Sequence, residues 1–289
     1  MIPAAFEYHA PATLKEATAL MRRFGDDAKV LAGGQSLIPM MKLRLADVPH
    51  LIDLRRVSGL AYIKEQDGGL AIGAMTTYHE LEASSLVRRY APFIVEAIDL
   101  IADVQVRNKG TIGGSAAHAD PAADLPALLV ALEARINTTG GARARHIAAD
   151  RFFVDAYTTA MGPSEVISEI TLPALPLRTG TSYRKFANKA SHFAVVGAAA
   201  VVTLGADGLC ERVRLGITGA GPKAARSKRA ERYLEGKAPT QENFQTAARK
   251  AGHGIEFLED IHGSAEYRRH LTSVFAARAL AEAVQRVAD

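Results

Sequence analysis

The feature that most constrains this chain is a pair of adjacent glycines between two predicted elements, in Ala32-Gly33-Gly34-Gln35-Ser36. Lys29-Val30-Leu31 before it is a short apolar run that reads as a strand, and Leu37 to Leu43 after it reads as a short helix. Lacking Cβ atoms, the two glycines let the backbone turn tightly and approach another group closely. The N–H groups that open such a helix have no intrahelical acceptor, so an anion, phosphate or pyrophosphate above all, is the natural occupant. Thr111-Ile112-Gly113-Gly114-Ser115 repeats the pattern further along. Either stretch alone reads equally well as a tight turn. Together they suit the two phosphates of a dinucleotide, gripped from opposite sides by two backbone nests.

Other nucleotide signatures are missing. The Gly-x-Gly-x-x-Gly of a Rossmann domain does not occur. Gly216-Ile217-Thr218-Gly219-Ala220-Gly221 runs directly into Pro222 at the end of a presumed hairpin strand and reads as a structural turn. Asp124 follows Ser115 by nine residues, at the start of a predicted helix. A carboxylate there can accept hydrogen bonds from ribose or ribityl hydroxyls. Asp120 reads nearly as well as an acid complementing the helix dipole. His118 has no cysteine or carboxylate cluster at metal spacing and reads as a loop histidine, so no metal site is expected. With no nucleophile elbow, His-Glu-x-x-His or Walker lysine, no catalytic side chain stands out, and a bound cofactor is expected to carry the chemistry.

Composition narrows the class. At 289 residues the chain should form two or three compact units. A formal charge of +4 is too small to argue for nucleic acid. Lys223, Arg226, Lys228, Arg229 and Arg232 are the densest basic group and read as a solvated helix face. Cys210 is the single cysteine, which excludes a disulfide within the chain and an iron–sulfur cluster held by this chain alone. The start Met1-Ile2-Pro3-Ala4-Ala5-Phe6-Glu7-Tyr8 does not read as a signal peptide. No apolar run reaches the roughly 20 residues of a membrane span. The expected location is the cytoplasm, or a membrane surface reached through partners.

Periodicity supplies the elements. Thr13 caps a first helix with Glu16 completing a capping box, its apolar face is Leu14, Ala17, Leu20, Met21 and Phe24, and Gly25 ends it. The strand at 29–31, the turn, a short helix and the strand Leu51 to Leu54 make a small α/β unit with parallel pairing. A β-hairpin of 60–63 and 70–73 follows, then a helix capped by Thr77 and Glu80, a helix over 86–102 and another over 122–132. Gly140-Gly141-Ala142 marks a turn, Arg143 to Ile147 a strand, and Val166 to Leu172 a half-buried strand. Pro173-Ala174-Leu175-Pro176 is the clearest domain boundary. Beyond it, three strands at 182–186, 194–204 and 213–217 and helices at 223–235, 241–251 and 264–287 predict an antiparallel sheet with a helical cover. Tyr267, Leu271, Val274, Phe275, Leu280 and Val284 form the apolar side of the last helix.

Taken in order, Val30 to Leu37, Leu51-Ile52-Asp53-Leu54, Gly73-Ala74-Met75-Thr76-Thr77 and Thr111 to Ser115 resemble the FAD-binding medium subunit of the molybdenum hydroxylases, the group of aerobic carbon monoxide dehydrogenase and xanthine dehydrogenase. The resemblance runs nearly end to end. It implies an α+β fold: a PCMH-type (vanillyl-alcohol-oxidase-like) two-lobed FAD-binding domain, residues 1–55 and 56–176, then a C-terminal domain, 177–289. It places Ala32, Gly33, Gly34, Gln35 and Ser36, with Thr111, Gly113, Gly114 and Ser115, on the FAD pyrophosphate. It puts Asp124 on the cofactor, Ile101 and Ile167 at apolar positions near the flavin, and Lys185 at a basic position beside the isoalloxazine. Phe193 is a candidate to lie against the ring. FAD is expected to be non-covalent, with molybdopterin and two [2Fe–2S] clusters in a large and a small partner subunit and two such heterotrimers in a dimer. Electrons would leave through FAD to NAD, oxygen or a quinone. The other reading is a self-contained FAD-dependent reductase or oxidase whose C-terminal domain covers its own substrate.

Overall fold

The computed structural model describes residues 2–141 and 143–287. Ala142, third in the turn expected at Gly140-Gly141-Ala142, lies outside the described residues, as does Met1.

The chain begins with β1 (Glu7–His9), α1 (Leu14–Phe24), β2 (Ala28–Leu31), α2 (Leu37–Lys42) and β3 (His50–Asp53). The three strands pair in parallel in the order β1-β3-β2. The Thr13 hydroxyl accepts from the Glu16 N–H, while the Glu16 carboxylate accepts from Ala12 rather than from the cap residue itself. Gly25, at φ 54°, ends α1. Ala17, Leu20, Met21 and Phe24 of α1 cover one face of the sheet at Ala28 and Ile52. Met41 of α2 covers the other with Leu31, Val48 and Leu51. β1 had no counterpart among the predicted elements.

An antiparallel sheet follows. β4 (Ile63–Gln66) and β5 (Gly69–Gly73) join at Asp67 and Gly68, whose φ values of 51° and 77° suit the two-residue type I′ hairpin turn. The first strand begins later than expected because the carbonyls of Leu60 and Tyr62 accept from the N–H groups of Met75 and Gly73. After α3 (Tyr78–Ala83), with the Thr77–Glu80 capping box in place, come α4 (Ser85–Tyr90) and α5 (Pro92–Asp99). The single helix expected over 86–102 is broken at Ala91, since Pro92 lacks an N–H and its ring disfavours helical backbone in the residue before it. The chain continues through α6 (Val104–Arg107), α7 (Ile112–His118), α8 (Leu125–Ala131), β6 (Arg135–Thr139), β7 (Arg145–Ala148), α9 (Ala149–Phe152), β8 (Phe153–Asp155), β9 (Thr158–Thr159) and β10 (Val166–Leu172). The sheet order is β4-β5-β10-β6-β7. β6 was not expected: Asn137 and Thr138 are polar yet buried, and Asn137 donates to Glu169 at 2.7 Å. Helices α5 and α8 contribute more residues to the largest core than any other elements do.

The last third is β11 (Thr179–Ala187), β12 (Ala194–Leu204), β13 (Cys210–Thr218), β14 (Ala225–Arg226), α10 (Lys228–Leu234), α11 (Gln241–Arg249) and α12 (Ala265–Gln285). The three expected strands are joined by β14, which pairs with Gly216 and Ile217, so the helix expected from 223 starts at Lys228. β12 is buried along nearly its whole length and serves two cores. Ala199 and Val201 join the core of α5 and α8, whereas Ala198, Ala200 and Val202 join the core under α12. On α12, Leu271, Phe275 and Leu280 are buried as expected, but Tyr267 is exposed. Arg268, unanticipated, is buried, donating to the carbonyls of Val195 and Gly219 and to both oxygens of Asp260, each at 2.7 Å.

Charged groups also tie the parts together. Glu133, just beyond α8, accepts from Arg212 and, at 2.6 Å, from Arg226, and forms an ion pair with Arg214 at 2.9 Å. Arg226 thus departs from the solvated helix face expected of it: it lies on β14 and also meets Glu231 at 2.8 Å. Burial works against ionisation of Glu133, but the three guanidinium groups hold its carboxyl below the ordinary 4.5. A depressed carboxyl pKa contributes stability above its ordinary value and loses it as pH falls through the folded value. Glu133→Gln should therefore lower stability by about 1–3 kcal/mol at neutral pH and flatten its decline in acid. Urea unfolding of both proteins across the acid range would check this; parallel pH dependences would refute it.

Candidate functional site

The first glycine stretch leaves β2 and enters α2 as anticipated. Gly34 sits at φ 77°, a conformation that favours glycine. Its carbonyl starts α2 by accepting from Ile38 at 3.1 Å. Among the described residues, no backbone carbonyl accepts from the N–H groups of Gly33, Gly34, Gln35 or Ser36. Gln35 is exposed at the tip, and Ala32, Gly33, Gly34 and Ser36 are half-buried beside it. Four consecutive donors without a backbone acceptor in a bent segment have the character of a nest, the backbone arrangement that suits an anion.

The second stretch is built differently, and the expectation of a second nest is corrected. Gly113 and Gly114 lie inside the first turn of α7, with Thr111 as its N-cap. Their donors are occupied. Ile112 donates to the Thr76 carbonyl at 3.0 Å, Gly113 to Ala74 at 2.9 Å, Gly114 to the Thr111 hydroxyl at 3.0 Å and Ser115 to the Thr111 carbonyl at 3.0 Å. These glycines serve close packing instead. A Cβ on Gly113 would lie 2.6 Å from the Ala74 Cβ, and one on Gly114 would lie 3.4 Å from the Ala32 Cβ.

The two stretches meet. A Cβ on Gly33 would fall 2.0 Å from the Lys109 carbonyl oxygen and 2.9 Å from the Gly110 Cα. The first stretch therefore abuts Lys109 and Gly110, the segment that leads into α7. Ile167, buried on β10, belongs to the same neighbourhood, because Ala74 bridges from the Ser168 carbonyl (3.1 Å) to the Gly113 N–H (2.9 Å). Ile101 lies just past α5, half-buried, its carbonyl accepting from Arg107 at 3.1 Å.

Asp124, at the N-cap of α8, and Lys185, on β11, are brought together. The Lys185 ammonium lies 3.0 Å from Asp124 Oδ1 and donates to the His192 carbonyl at 2.7 Å. Both side chains are nearly sealed, 2% and 4% exposed. The Tyr183 hydroxyl completes the group by donating to Asp124 Oδ1. Burial pushes the Asp124 carboxyl above the usual carboxylate range while Lys185 and Tyr183 pull it back. The Tyr78 phenol, buried behind Gly110, is pushed up to about 12 by its burial, with the Asp124 charge adding to the shift. Tyr183 and Tyr78 were not singled out from sequence. The signal for Tyr183 was available, since residues 183 and 185 share one face of a strand. Phe193 is 46% exposed, on the loop whose His192 carbonyl holds Lys185. His118 is not a loop residue: it ends α7 and packs on Tyr157, with ring centroids 5.1 Å apart.

Comparison with known proteins follows this layout. The family described as "FAD binding domain in molybdopterin dehydrogenase" matches residues 4–175, and "CO dehydrogenase flavoprotein C-terminal domain" matches residues 181–283. The chain is 42% identical over 288 residues to the carbon monoxide dehydrogenase medium chain of Hydrogenophaga pseudoflava, covering 100% of both. It is 37% identical to the 6-hydroxypseudooxynicotine dehydrogenase complex subunit alpha of Paenarthrobacter nicotinovorans, covering 99% of this chain and 97% of that one. A solved structure of carbon monoxide dehydrogenase from Hydrogenophaga pseudoflava, lacking the Mo-pyranopterin moiety of its cofactor, superposes with a TM-score of 0.96, 44% identity and full coverage of both chains.

Gly33→Ala forces a methyl group into the Lys109 backbone, an overpacking that costs about 1–3 kcal/mol. It should separate the nest from α7. Gly25→Ala, whose Cβ would meet nothing within 4 Å, is a control for strain at φ 54° alone. Tm and bound chromophore measured on both variants should fall together only for Gly33→Ala; retention of a full chromophore complement there would refute the role given to this contact.

Proposed function

The chain belongs to the FAD-binding family of the molybdopterin dehydrogenases, and from that premise we propose that it relays electrons through FAD to an external acceptor, as the medium subunit of a three-subunit molybdenum hydroxylase. The observation that carries this reading is the run of N–H donors without backbone acceptors at Gly33 to Ser36, set against Lys109 and Gly110 within the segment matched by the FAD-binding family. That donor set suits a pyrophosphate and lacks any catalytic nucleophile. FAD is the cofactor of the family, and when bound it supplies the capacity to take up electrons and pass them on.

In this reading Ala32, Gly33, Gly34, Gln35 and Ser36 hold the pyrophosphate. Thr111, Gly113, Gly114 and Ser115 form the wall against which it rests. Ile101 and Ile167 offer apolar surface, and Asp124 and Lys185 set the charge at the far end of the site. Residues 1–55 and 56–176 would be the two lobes of the FAD-binding domain and 177–289 the C-terminal domain. Binding is non-covalent: Cys210 is buried in the core under α12, away from these residues.

The partners in this reading are a molybdopterin-bearing large subunit, where substrate is oxidised, and a small subunit with two [2Fe–2S] clusters, assembled as a dimer of heterotrimers. Their relatives' names as medium chains and complex subunits support a chain that works within an assembly. The acceptor would be a quinone, oxygen or NAD. Among the described residues no helix is long and apolar enough to cross a membrane.

The role of Lys185 is electrostatic. Its charge is balanced by Asp124, so together they present a nearly neutral pair, and removing one partner changes the potential felt by a group that gains electrons. Lys185→Met should lower the FAD reduction potential and Asp124→Asn should raise it. A shift of about 30 mV corresponds to about 1.4 kcal/mol for a two-electron couple. Purification of the chain with FAD should give a yellow protein, and spectroelectrochemistry of the three proteins reads the potentials. A chain that stays colourless after reconstitution overturns the assignment of FAD. Unmoved potentials in fully loaded variants overturn only the role of the pair.

A further inference from the structure

We propose that Glu7, His9 and His50 form a binding site for a divalent transition-metal ion of the zinc or nickel type, at the edge of the first sheet. No local spacing announces it, because 41 residues separate the two histidines. The fold closes that gap. β1 and β3 pair in parallel with Glu7 opposite His50 and His9 opposite Ile52. Side chains alternate along a strand, so Glu7, His9 and His50 emerge on one face. Tyr8 takes the other face, where its hydroxyl donates to Asp53 at 2.8 Å.

The three potential ligand atoms converge. His9 Nε2 lies 3.2 Å from His50 Nδ1, Glu7 Oε2 lies 3.4 Å from His50 Nδ1, and Glu7 Oε2 lies 3.9 Å from His9 Nε2. Zinc–nitrogen bonds of about 2.0–2.1 Å at tetrahedral angles place neighbouring ligand atoms about 3.3–3.4 Å apart. The triangle therefore already has nearly the edge lengths of one face of such a site. Two imidazoles and a carboxylate suit a borderline cation rather than calcium or magnesium. The positions of the imidazoles are fixed by packing: both are about four-fifths buried, and Phe24 stacks on His50 with ring centroids 3.7 Å apart. Phe24 is the last residue of α1, so the negative end of that helix dipole lies beside the cluster. A cation, Arg23, also lies against Phe24, its guanidinium 4.9 Å from the ring centroid. Glu7 is 72% exposed, which leaves the outer side open to water as remaining ligands.

The competing arrangement needs no metal: a ring proton can join the two imidazoles, neutral or jointly charged, as a hydrogen bond across the 3.2 Å between His9 Nε2 and His50 Nδ1. The test separates the two. The tag-free full chain, stripped with chelator, is titrated with ZnCl2 by calorimetry at a pH above the histidine range, and with CoCl2 followed by visible absorption. One equivalent of Zn2+ should bind, Co2+ should develop tetrahedral d–d bands, and Zn2+ should raise Tm by the linkage of a ligand that binds only the folded state. His9→Gln and His50→Gln should each abolish stoichiometric binding. Glu7→Gln, an exposed change that leaves the core intact, should weaken it at least about tenfold, the scale on which metal sites respond to altered ligand surroundings. Absence of an equivalent in the wild-type chain, or Zn2+ binding that survives His9→Gln together with Glu7→Gln, overturns the proposal. So does an NMR titration in which the His9 and His50 rings share one proton and ignore added Zn2+.

Discussion

Gly33 approaches the backbone of Lys109 and Gly110 so closely that no side chain fits between them, and the rest of the site depends on that contact. It sets the distance between the parallel sheet, which carries the nest, and α7, which forms the opposite wall. Neither side could do this alone. The nest offers donors but no depth, and α7 offers a wall but no donors, because its first-turn N–H groups are already bonded to Ala74, Thr76 and Thr111. The donors without backbone acceptors thus belong to the first stretch, while the segment leading into the second determines how close the first may come.

Helix α8 is the second organising element, and it is gripped at both ends by residues from the C-terminal sheet. At its N-terminus Asp124 is bonded to Tyr183 and Lys185 of β11. Just past its C-terminus Glu133 forms ion pairs with Arg212 and Arg214 of β13 and with Arg226 of β14. Between them, Gly216 lets β13 approach the helix: a Cβ there would fall 2.1 Å from the Ala127 carbonyl. The loop before α8 is held as well, since the Thr218 hydroxyl donates to the Ala123 carbonyl at 2.6 Å and the Gly219 N–H donates to the Pro121 carbonyl at 2.8 Å. Gly216 and Gly219 thus serve the seam between the two parts of the chain, while Gly221 packs against Ile255 and Glu256 within the C-terminal part. Carboxylates buried at such seams are stabilising only while their cations remain in place.

Most elements were legible because their signals are local. Caps at Thr13 and Thr77, the Asp67-Gly68 turn and the strand-turn-helix at 29–43 depend on neighbours a few residues away. What escaped depends on distant partners. β6 carries buried polar residues that only Glu169 and its own strand neighbours explain. Arg226 and Arg268 look like surface cations until Glu133 and Asp260 come to meet them. The second glycine stretch misled for a related reason: its motif matches the first, but the carbonyls of Ala74 and Thr76, contributed by a separate segment, occupy the donors. The break at Ala91 was a local signal passed over, since Pro92 announces it. Of the candidate residues, Asp124 and Lys185 were each identified, but their contact with one another was not, because no spacing rule links residues on a helix cap and a strand 61 positions apart.

The alternation along β12 has a consequence for how this chain can change. Its successive side chains enter two different cores, one shared with α5 and α8 and one beneath α12. The segments matched by the two families can be separated on paper, but their interiors share a strand, so neither half is a detachable module. Exchanging alanine for valine within β12 alters one core at a time. Adding or deleting a single residue would turn every side chain beyond it toward the wrong interior. The strand's length is therefore held more tightly than its composition, and tolerated insertions belong at its ends, in the turns that lead to β11 and β13.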